Sequence, residues 1–387
     1  MALKIGLALP MFTAGGAEQV VLGLAREYLG LGHEAVIMSM SAGGNMRERF
    51  LKSGARLKEF GIKREFRLSP GWIADIIRAR TMISRCLLEE GFDVVHTHLM
   101  GTDMDFLYAA KRAGVKAVVH TIHNVYRQYA GGKPVDRLRN WRRRAAYRRY
   151  DRVFAVDDEV RDWAVERGMV EIGGITTVRN GISFSSLNVK TSRQELRKKY
   201  GLGPNDRMVL NTGSLTAQKN QLSLIRAVHL LAQKGMEIRL FIAGEGVLRG
   251  ELEREVKALG IESSVRLLGY REDIPSLLKA ADVFAFPSLW EGLPIALLEA
   301  LACGTTALAS DIPVHRKILG AGRFGWLTPA ASPEEIAGVL EKTLKSVERS
   351  KGNIIAAREM VIENYSAGRM AKEYISSYLE ILNGGKA

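Results

Sequence analysis

The chain has 387 residues, of which 47% are hydrophobic and 25% are charged. At about 100–200 residues per domain, this length predicts two domains with complete hydrophobic cores. The composition excludes a disordered chain, a collagen-like repeat and a polytopic membrane protein. The two cysteines, Cys86 and Cys303, form no C-x-x-C motif, so neither a disulfide framework nor a thiolate zinc site is expected.

Positive charge is the one unusual bulk property, since 56 basic residues face 42 acidic ones and the formal net charge is +14. An acidic partner is therefore expected. Between residues 137 and 152, eight arginines, including Arg142, Arg143 and Arg144, accompany a single aspartate and three aromatic residues. This segment is either a solvated helix face or a contact surface for anionic lipid headgroups or a polyanionic acceptor. Nucleic-acid binding is not expected, because the sequence shows no helix-turn-helix, zinc-finger or RNA-binding signature.

Short runs rich in Val, Ile and Leu alternate with longer helical patterns, which predicts parallel sheets covered by helices. The predicted strands of the first half are 4–9, 34–40, 56–60, 93–97, 117–121, 152–156 and 175–178. Those of the second half are 208–212, 238–243, 265–268, 283–286 and 305–309, and predicted helices include 18–29, 71–90 and an amphipathic one over 366–383. The first strand begins almost at the N-terminus, where we predict a strand and not a signal peptide.

A polar segment, residues 179–194, separates the two halves and contains the turn Asn180-Gly181. We therefore predict an N-terminal domain over 1–182, a C-terminal domain over 183–365, and a final helical segment over 366–387. No apolar run reaches the length of about 18 residues that a membrane-spanning helix needs. Any membrane contact is thus expected to be peripheral.

The most informative stretch runs from residue 283 to 304 and reads VFAFPSLWEGLPIALLEALACG. A buried strand is predicted to end at Pro287, and a helix to begin at or near Pro294, a residue suited to the first helical position. Glu291 precedes this helix and Glu299 lies inside it, so both are placed at the edge of a sheet where ligands bind. The segment Gly292, Leu293, Pro294 and Ile295 surrounds the helix start. Its free backbone N–H groups, which Pro294 lacks, could bind an anion or a sugar oxygen.

Two other turns are rich in glycine. The turn after the first strand contains Gly15, Gly16 and Glu18, and it is either an anion-binding helix start or a plain strand-to-helix turn. In the second half, Gly244 and Gly246 are followed by Gly250, one position too late for the dinucleotide-binding pattern G-x-G-x-x-G.

Four of the seven histidines cluster at two predicted strand ends, as His96, His98, His120 and His123. The two-residue period of a strand places His96 and His98 on one side, but no carboxylate or thiolate has the spacing of a metal ligand. Asp103 and Asp105 match a D-x-D metal motif, yet they also open a predicted helix, where aspartate is favoured. We therefore expect no catalytic metal.

Taken together, these motifs resemble the retaining GT-B glycosyltransferases of family 4, also called glycosyl transferases group 1, with a GGAE-type loop. The stretch 283–304 contains the family's motif residues Pro287-Ser288, Glu291-Gly292, Pro294 and Glu299-Ala300. A second segment, residues 212–220, contains Lys219 and resembles the family's G-R-L-x-x-x-K turn. The resemblance implies an α/β chain of two Rossmann-like domains facing across a cleft. The first domain would bind the acceptor and the second the nucleotide sugar.

The resemblance also implies roles for individual residues. Glu291 would bind hydroxyls of the donor sugar, Glu299 the ribose, Lys219 the diphosphate, and His123 the donor sugar; His123, Lys219 and Glu291 form the expected catalytic set. The expected donor-binding residues are Gly15, Gly16, Gly213, Ser214, Lys219, Gly244, Tyr270, Arg271, Glu291, Gly292, Leu293, Pro294, Ile295 and Glu299. Glu18, His98, Arg142, Arg143 and Arg144 are expected on the acceptor or membrane side. Ser214 replaces the family's arginine, so either another cation such as Arg271 substitutes for it or turnover is slow.

The expected reaction moves a sugar from a nucleotide sugar, UDP-linked in preference to GDP-linked, to a hydroxyl of a glycan or lipid-linked acceptor in cell-surface polysaccharide or lipopolysaccharide assembly. No cofactor is expected besides this co-substrate, and the expected location is cytoplasmic, on the inner face of the membrane. Two alternatives stay open: a non-catalytic carbohydrate- or polyanion-binding protein, and a sugar-nucleotide 2-epimerase, which would act on the donor without an acceptor.

Overall fold

The computed structural model describes residues 1–62, 71–125, 134–203, 205–329, 332–347 and 351–385. The chain divides into two compact units. Unit 1 contains Met1–Gly181 and Ala367–Ala387, and unit 2 contains Ile182–Ser366. Both divisions lie within one residue of the boundaries that the sequence suggests, after residues 182 and 365.

Unit 1 alternates strands and helices. Its elements are β1 (Lys4–Leu9), α1 (Gly16–Gly30), β2 (Glu34–Ser39), α2 (Arg47–Leu51), β3 (Arg56–Glu59), α3 (Gly71–Glu90), β4 (Val94–His98), α4 (Asp103–Arg112), β5 (Ala117–Ile122), α5 (Pro134–Tyr147), β6 (Arg152–Ala155), α6 (Asp158–Glu166) and β7 (Ile175–Thr177). The strands form a parallel sheet in the order β3-β2-β1-β4-β5-β6-β7. The central strands are buried along almost their whole length because helices cover both faces.

Unit 2 repeats this architecture. Its elements are α7 (Arg193–Lys199), β8 (Arg207–Thr212), α8 (Gln221–Gln233), β9 (Ile238–Ala243), α9 (Arg249–Ala258), β10 (Val265–Gly269), α10 (Ile274–Ala280), β11 (Val283–Phe286), α11 (Ile295–Ala302), β12 (Thr306–Ser310), α12 (Pro313–Ile318), β13 (Trp326–Thr328), α13 (Pro333–Ser346) and α14 (Lys351–Asn364). The sheet order is β10-β9-β8-β11-β12-β13. Strand β13 was not predicted, because Trp326–Thr328 is not part of a run rich in Val, Ile or Leu.

In each sheet the strand order reverses next to the first strand of the unit. The reversal lies between β1 and β4 in unit 1 and between β8 and β11 in unit 2. Loops at the carboxyl ends of strands diverge at such a point and leave a crevice where ligands bind in open α/β sheets. The sequence motifs singled out above follow β1, β4, β5, β8, β9 and β11, which are the strands that flank the two reversals or lie beside them.

The last helix, α15 (Ala367–Leu382), belongs to unit 1 and buries two tyrosines in its core. The Tyr378 hydroxyl lies 3.0 Å from the hydroxyl of Tyr28 on α1 and 2.7 Å from Nδ1 of His96 on β4. The Tyr374 hydroxyl lies 3.0 Å from Oγ1 of Thr121 on β5. These buried bonds tie α15 to the sheet, so the end of the chain completes the first unit.

Among the described residues, no helix combines the length and apolar character needed to cross a membrane. Both cysteines are free, with Cys86 buried and Cys303 half-buried.

Candidate functional site

A nearly buried ion pair lies at the carboxyl edge of the unit 2 sheet. Nζ of Lys219, in the loop after β8, lies 2.5 Å from Oε1 of Glu291, in the loop after β11, and the two side chains are 15% and 7% exposed. Gln218 donates from Nε2 to the Trp290 carbonyl and to Oε2 of Glu291. The Lys219 ammonium also lies 4.8 Å from the ring centroid of Phe286, the last residue of β11. The two predicted motifs therefore meet at one point.

Glycines let the loops around this pair approach each other. Gly213 has a φ of +148°, and a Cβ there would lie 3.3 Å from Cε of Lys219. At Gly244, also at a φ of +148°, a Cβ would lie only 1.9 Å from the Gly213 carbonyl oxygen. A Cβ at Gly246 would meet the Leu215 carbonyl at 2.3 Å. Close packing of two loops thus accounts for Gly244 and Gly246, whose spacing already argued against a dinucleotide fingerprint.

Helix α11 begins immediately after the Glu291 loop. The expectation that a helix begins at or near Pro294 is confirmed: Pro294, with an extended ψ of 105°, is the N-cap, and Ile295 is the first helical residue. The first N–H groups of a helix have no acceptor within it, and together with the helix dipole they favour an anion at this end. Glu299 lies in the middle of α11 and is half-buried.

His315 on α12 was not singled out from the sequence, yet it is fully buried beside this pair. Its Nδ1 donates to the Ser310 carbonyl at 2.9 Å. Burial lowers the pKa of His315 to about 4, although the Glu291 charge acts in the opposite direction. Its Nε2 and the Ser288 hydroxyl are buried without a hydrogen-bond partner among the described residues. The sequence offered no signal, since the histidine stands alone in a short helix.

The cation proposed as a substitute at Ser214 is engaged elsewhere. Arg271 donates from Nε and NH2 to the two carboxylate oxygens of Asp273 at 2.8 and 2.7 Å. These hydrogen bonds raise the pKa of Arg271. Ser214 itself is exposed. Tyr270, the residue before Arg271, has a buried hydroxyl with no partner in the described part of the chain.

In unit 1, the glycine turn holds a carboxylate at the start of α1. Gly15 is the N-cap of α1, and Glu18 accepts a hydrogen bond from Thr13 Oγ1 at 2.7 Å. A Cβ at Gly15 would lie 2.3 Å from Oε2 of Glu18, so the glycine is needed for this approach. Glu18 is buried, and burial raises its pKa. The predicted residues Gly15, Gly16 and Glu18 are thus brought together.

The four clustered histidines form two kinds of environment. His96 and His120 lie within strands and have hydrogen-bond partners at both ring nitrogens, namely Tyr378 and Thr121 for His96 and Thr97 and Tyr147 for His120. His98 and His123, at the carboxyl ends of β4 and β5, pair with each other, with Nδ1 of His98 3.0 Å from Nε2 of His123. The ring centroids of His96 and His98 are 4.0 Å apart, which confirms their predicted placement on one side of the strand.

Burial is the main cause of unusual pKa values in this cluster. It lowers the pKa of His123 to about 3 and that of His120 to about 4. It also places the pKa values of His96 and His98 well below the ordinary value. The four imidazoles are therefore neutral at physiological pH.

Asp103 and Asp105 each face an arginine. Asp103 lies 3.4 Å from Nε of Arg143, and Asp105 lies 2.9 Å from Nε of Arg80. In the part of the chain that the structure describes, no three His, Cys, Asp or Glu side chains lie close enough together to hold a metal ion.

The arginine-rich segment forms α5 and the turn after it. Arg143 is turned inward to Asp103 and its side chain is only 15% exposed, so it does not face solvent as the predicted contact surface requires. Arg144 is exposed and donates to the Arg167 carbonyl, and Trp141 is 66% exposed. Residues 126–133, which precede this helix, lie outside the described residues.

Known families match both units. The model of glycosyltransferase family 4 matches residues 14–185, and that of glycosyl transferases group 1 matches residues 192–360. The chain therefore belongs to the glycosyltransferases that these two models, family 4 and group 1, describe. The expected family and enzyme class are thus confirmed.

One relative of this glycosyltransferase is the UDP-Gal:alpha-D-GlcNAc-diphosphoundecaprenol alpha-1,3-galactosyltransferase of Escherichia coli. The two are 31% identical over 232 residues, which are 59% of this chain and 60% of the relative, so the chain spans about three fifths of that relative's length.

Two solved structures show the same fold. Anabaena HepE in complex with UDP and glucose has a TM-score of 0.84 at 19% identity, covering 98% of this chain and 100% of HepE. WaaG, a glycosyltransferase involved in lipopolysaccharide biosynthesis, has a TM-score of 0.74 at 20% identity, covering 98% of this chain and 100% of WaaG. The expected GT-B fold of two Rossmann-like domains is therefore confirmed.

Proposed function

We propose that this glycosyltransferase moves a sugar from a UDP-sugar to a hydroxyl of a lipid-linked glycan, with retention of the anomeric configuration. The observation that carries the proposal is the ion pair of Lys219 and Glu291 at the sheet edge of unit 2, next to the start of α11. The preference for UDP is supported by the Escherichia coli relative, named for UDP-Gal, and by HepE, solved with UDP.

The pair supplies the two charges that such a donor requires. The Lys219 ammonium compensates the charge that develops on the departing diphosphate, and the Glu291 carboxylate accepts hydrogen bonds from sugar hydroxyls. Without donor, each charge neutralises the other at 2.5 Å, which keeps both stable in a site with little solvent. Binding of the donor exchanges this contact for one with phosphate and one with hydroxyl groups.

The reaction itself needs no protein nucleophile. The bond between the anomeric carbon and the diphosphate oxygen breaks, the acceptor oxygen forms its bond on the same face, and the acceptor proton passes to the departing phosphate oxygen. In this scheme His123 contacts the transferred sugar. We propose no metal step, since Asp103 and Asp105 already face arginines. Transfer is therefore expected to proceed in excess EDTA.

We propose a lipid-linked acceptor for two reasons. The Escherichia coli relative is named for a diphosphoundecaprenol substrate, and WaaG acts in lipopolysaccharide biosynthesis. In this chain, exposed Trp141 and Arg144 on α5 provide an aromatic and a cationic group suited to an anionic membrane surface. The protein would then work peripherally at that surface.

The test begins with thermal shifts of the full chain in UDP, GDP, ADP and their sugar conjugates, because a ligand of the folded state raises the Tm. The donor so identified is then offered with lipid-linked glycan acceptors. Glu291→Gln and Lys219→Met are expected to lower turnover at least about tenfold, since each removes a contact with the donor. The matched control is Lys345→Met, which breaks an exposed ion pair with Glu341 on α13.

Three outcomes would contradict the proposal. Near-normal turnover of both folded variants would reject the site. Release of modified sugar and UDP from the donor alone would identify an epimerase. Absence of a shift with every nucleotide would favour the non-catalytic binding protein, an alternative that the exposed Ser214 in place of arginine keeps open.

A further inference from the structure

His98 and His123 form a buried imidazole pair whose atoms are unequally satisfied. Nδ1 of His98 lies 3.0 Å from Nε2 of His123. The other nitrogen of His98, Nε2, is buried and has no hydrogen-bond partner among the described residues. His98 has no exposed surface, whereas His123 is 8% exposed at the end of β5. Both rings are therefore buried, and the small exposure that the pair has belongs to His123.

Two neutral imidazoles can share a hydrogen bond in only two ways. If His123 donates from Nε2, then His98 must carry its single proton on Nε2, where a buried N–H would have no acceptor. If His98 donates from Nδ1, the unpartnered Nε2 is only a lone pair. A buried N–H without an acceptor is the rarer and costlier defect. The second arrangement is therefore favoured.

We propose that His98 is a positioning residue that fixes His123 in its Nδ1–H tautomer. The Nε2 lone pair of His123 is occupied by the proton of His98, so the proton of His123 must lie on Nδ1. The ring then presents an N–H donor, and not a lone pair, to a ligand oxygen. This inference rests on the proposed function, in which that ligand is the transferred sugar, and it replaces the sequence-based expectation that His98 binds acceptor.

The arrangement has a chemical purpose. A hydroxyl can donate to or accept from an imidazole, so an unfixed ring would accept several orientations of a sugar. A fixed N–H selects a hydroxyl lone pair and leaves the hydroxyl proton for another acceptor. Because burial keeps both rings neutral, the hydrogen bond is set by the tautomer and not by charge.

The tautomer can be measured without substrate. The full chain, labelled with ¹⁵N-histidine, is examined by long-range ¹H–¹⁵N NMR at neutral pH, and His123 is assigned from the signals missing in His123→Gln. We expect His98 and His123 both to carry their proton on Nδ1. If both carry it on Nε2, the inference is overturned.

Two variants of His98 separate positioning from structural support. In His98→Asn, the amide nitrogen replaces Nδ1 as the donor, so we expect the Nδ1–H form of His123 and turnover within about threefold of the original. In His98→Asp, a carboxylate can only accept, so we expect the proton of His123 on Nε2 and turnover lowered at least about tenfold. Should His98→Asp fail to fold, the spectra of the original chain and of His98→Asn decide.

The readouts also distinguish this inference from the proposed function. The role of His98 would be overturned if folded His98→Asn lost the Nδ1–H form of His123. It would also be overturned if His98→Asp moved the His123 proton to Nε2 and yet kept the turnover of the original chain. A chain with the expected tautomers that transfers no sugar from any donor would instead overturn the proposed function and leave the positioning of His123 by His98 standing.

Discussion

Gly244 shows how a single residue can be fixed by backbone packing. The loop after β9 crosses the loop after β8 so closely that Gly213 N donates to Ala243 O at 3.0 Å and Leu215 N donates to Glu245 O at 2.9 Å. The φ of +148° at Gly244 is open to glycine and strained for other residues. These contacts hold the loop that carries Lys219.

We predict that Gly244→Ala lowers the free energy of unfolding of unit 2 by about 3 kcal/mol or more, because the added Cβ must displace a backbone carbonyl. Thermal unfolding followed by circular dichroism measures the change in Tm. The control is Gly250→Ala on α9, where a Cβ meets no atom within 4 Å and helix propensity favours alanine. Equal Tm values for the two variants would contradict the packing argument.

Residues of the candidate site differ in how well they could be foreseen. Lys219 and Glu291 stand in recognisable motifs, so both were predicted, but their contact joins loops 72 positions apart. His315 stands in no motif and enters the site only because α12 packs it against Phe286, with ring centroids 5.4 Å apart. Arg143 was expected at the surface, and its inward pairing with Asp103 depends on how α5 packs beside α4.

At the scale of elements, α15 depends on polar groups inside an apolar interface. The Tyr378 hydroxyl joins Tyr28 and His96, so its removal leaves two buried groups without that partner. We predict that Tyr378→Phe lowers the free energy of unfolding of unit 1 by about 1–3 kcal/mol. Chemical denaturation of the full chain checks this, with Tyr108→Phe as the control, since the contacts of Tyr108 with Arg80 and Arg149 are made by its ring, which Phe keeps. A Tyr378→Phe variant as stable as that control would show that packing alone holds α15.

Helix α5 and the turn after it carry the prediction for membranes. Trp141 and the Arg148 side chain are 66% and 70% exposed, and Arg148 forms an ion pair with the exposed Glu171 at 3.5 Å. We predict that Trp141→Ser combined with Arg144→Ser and Arg148→Ser weakens binding to phosphatidylglycerol vesicles at least about tenfold, since each arginine near an anionic surface contributes about 1 kcal/mol.

A vesicle sedimentation assay measures this binding. The control is Arg226→Ser combined with Arg316→Ser, which also removes two positive charges, here from exposed positions of unit 2. If both combined variants lose binding equally, general positive charge is responsible and not α5.

At the scale of the whole molecule, buried histidines make stability depend on pH. Burial lowers the pKa of five of them below the ordinary value of 6.5, namely His96, His98, His120, His123 and His315. The unfolded chain therefore binds more protons than the folded one below pH 6.5, and stability falls as pH falls from 6.5 towards 4. Burial raises the pKa of Glu18, so this residue makes stability rise as pH falls. One such group does not offset five histidines.

We predict that the Tm is markedly lower at pH 5 than at pH 7, because at pH 5 these histidines bind a proton in the unfolded chain and stay neutral in the folded one. His315→Asn keeps a donor at the position of Nδ1 and removes the titrating group. In this variant, the Tm of unit 2 is expected to depend less on pH than in the original chain. Differential scanning calorimetry measures this dependence. A Tm that is the same at pH 5 and pH 7 would mean that the imidazoles are accessible to protons in the folded state.

The sequence by itself determined the fold class and the strands of both sheets except β13. Buried parallel strands are continuous apolar runs, and helices carry their own periodicity, so both are local signals. It also identified the motif residues, because Lys219 and Glu291 stand in loop motifs that can be read along the chain. Only the tertiary structure decided the pairing of Lys219 with Glu291, that of His98 with His123, and the inward turn of Arg143. Such contacts join distant positions, and their geometry follows from how the helices and strands pack.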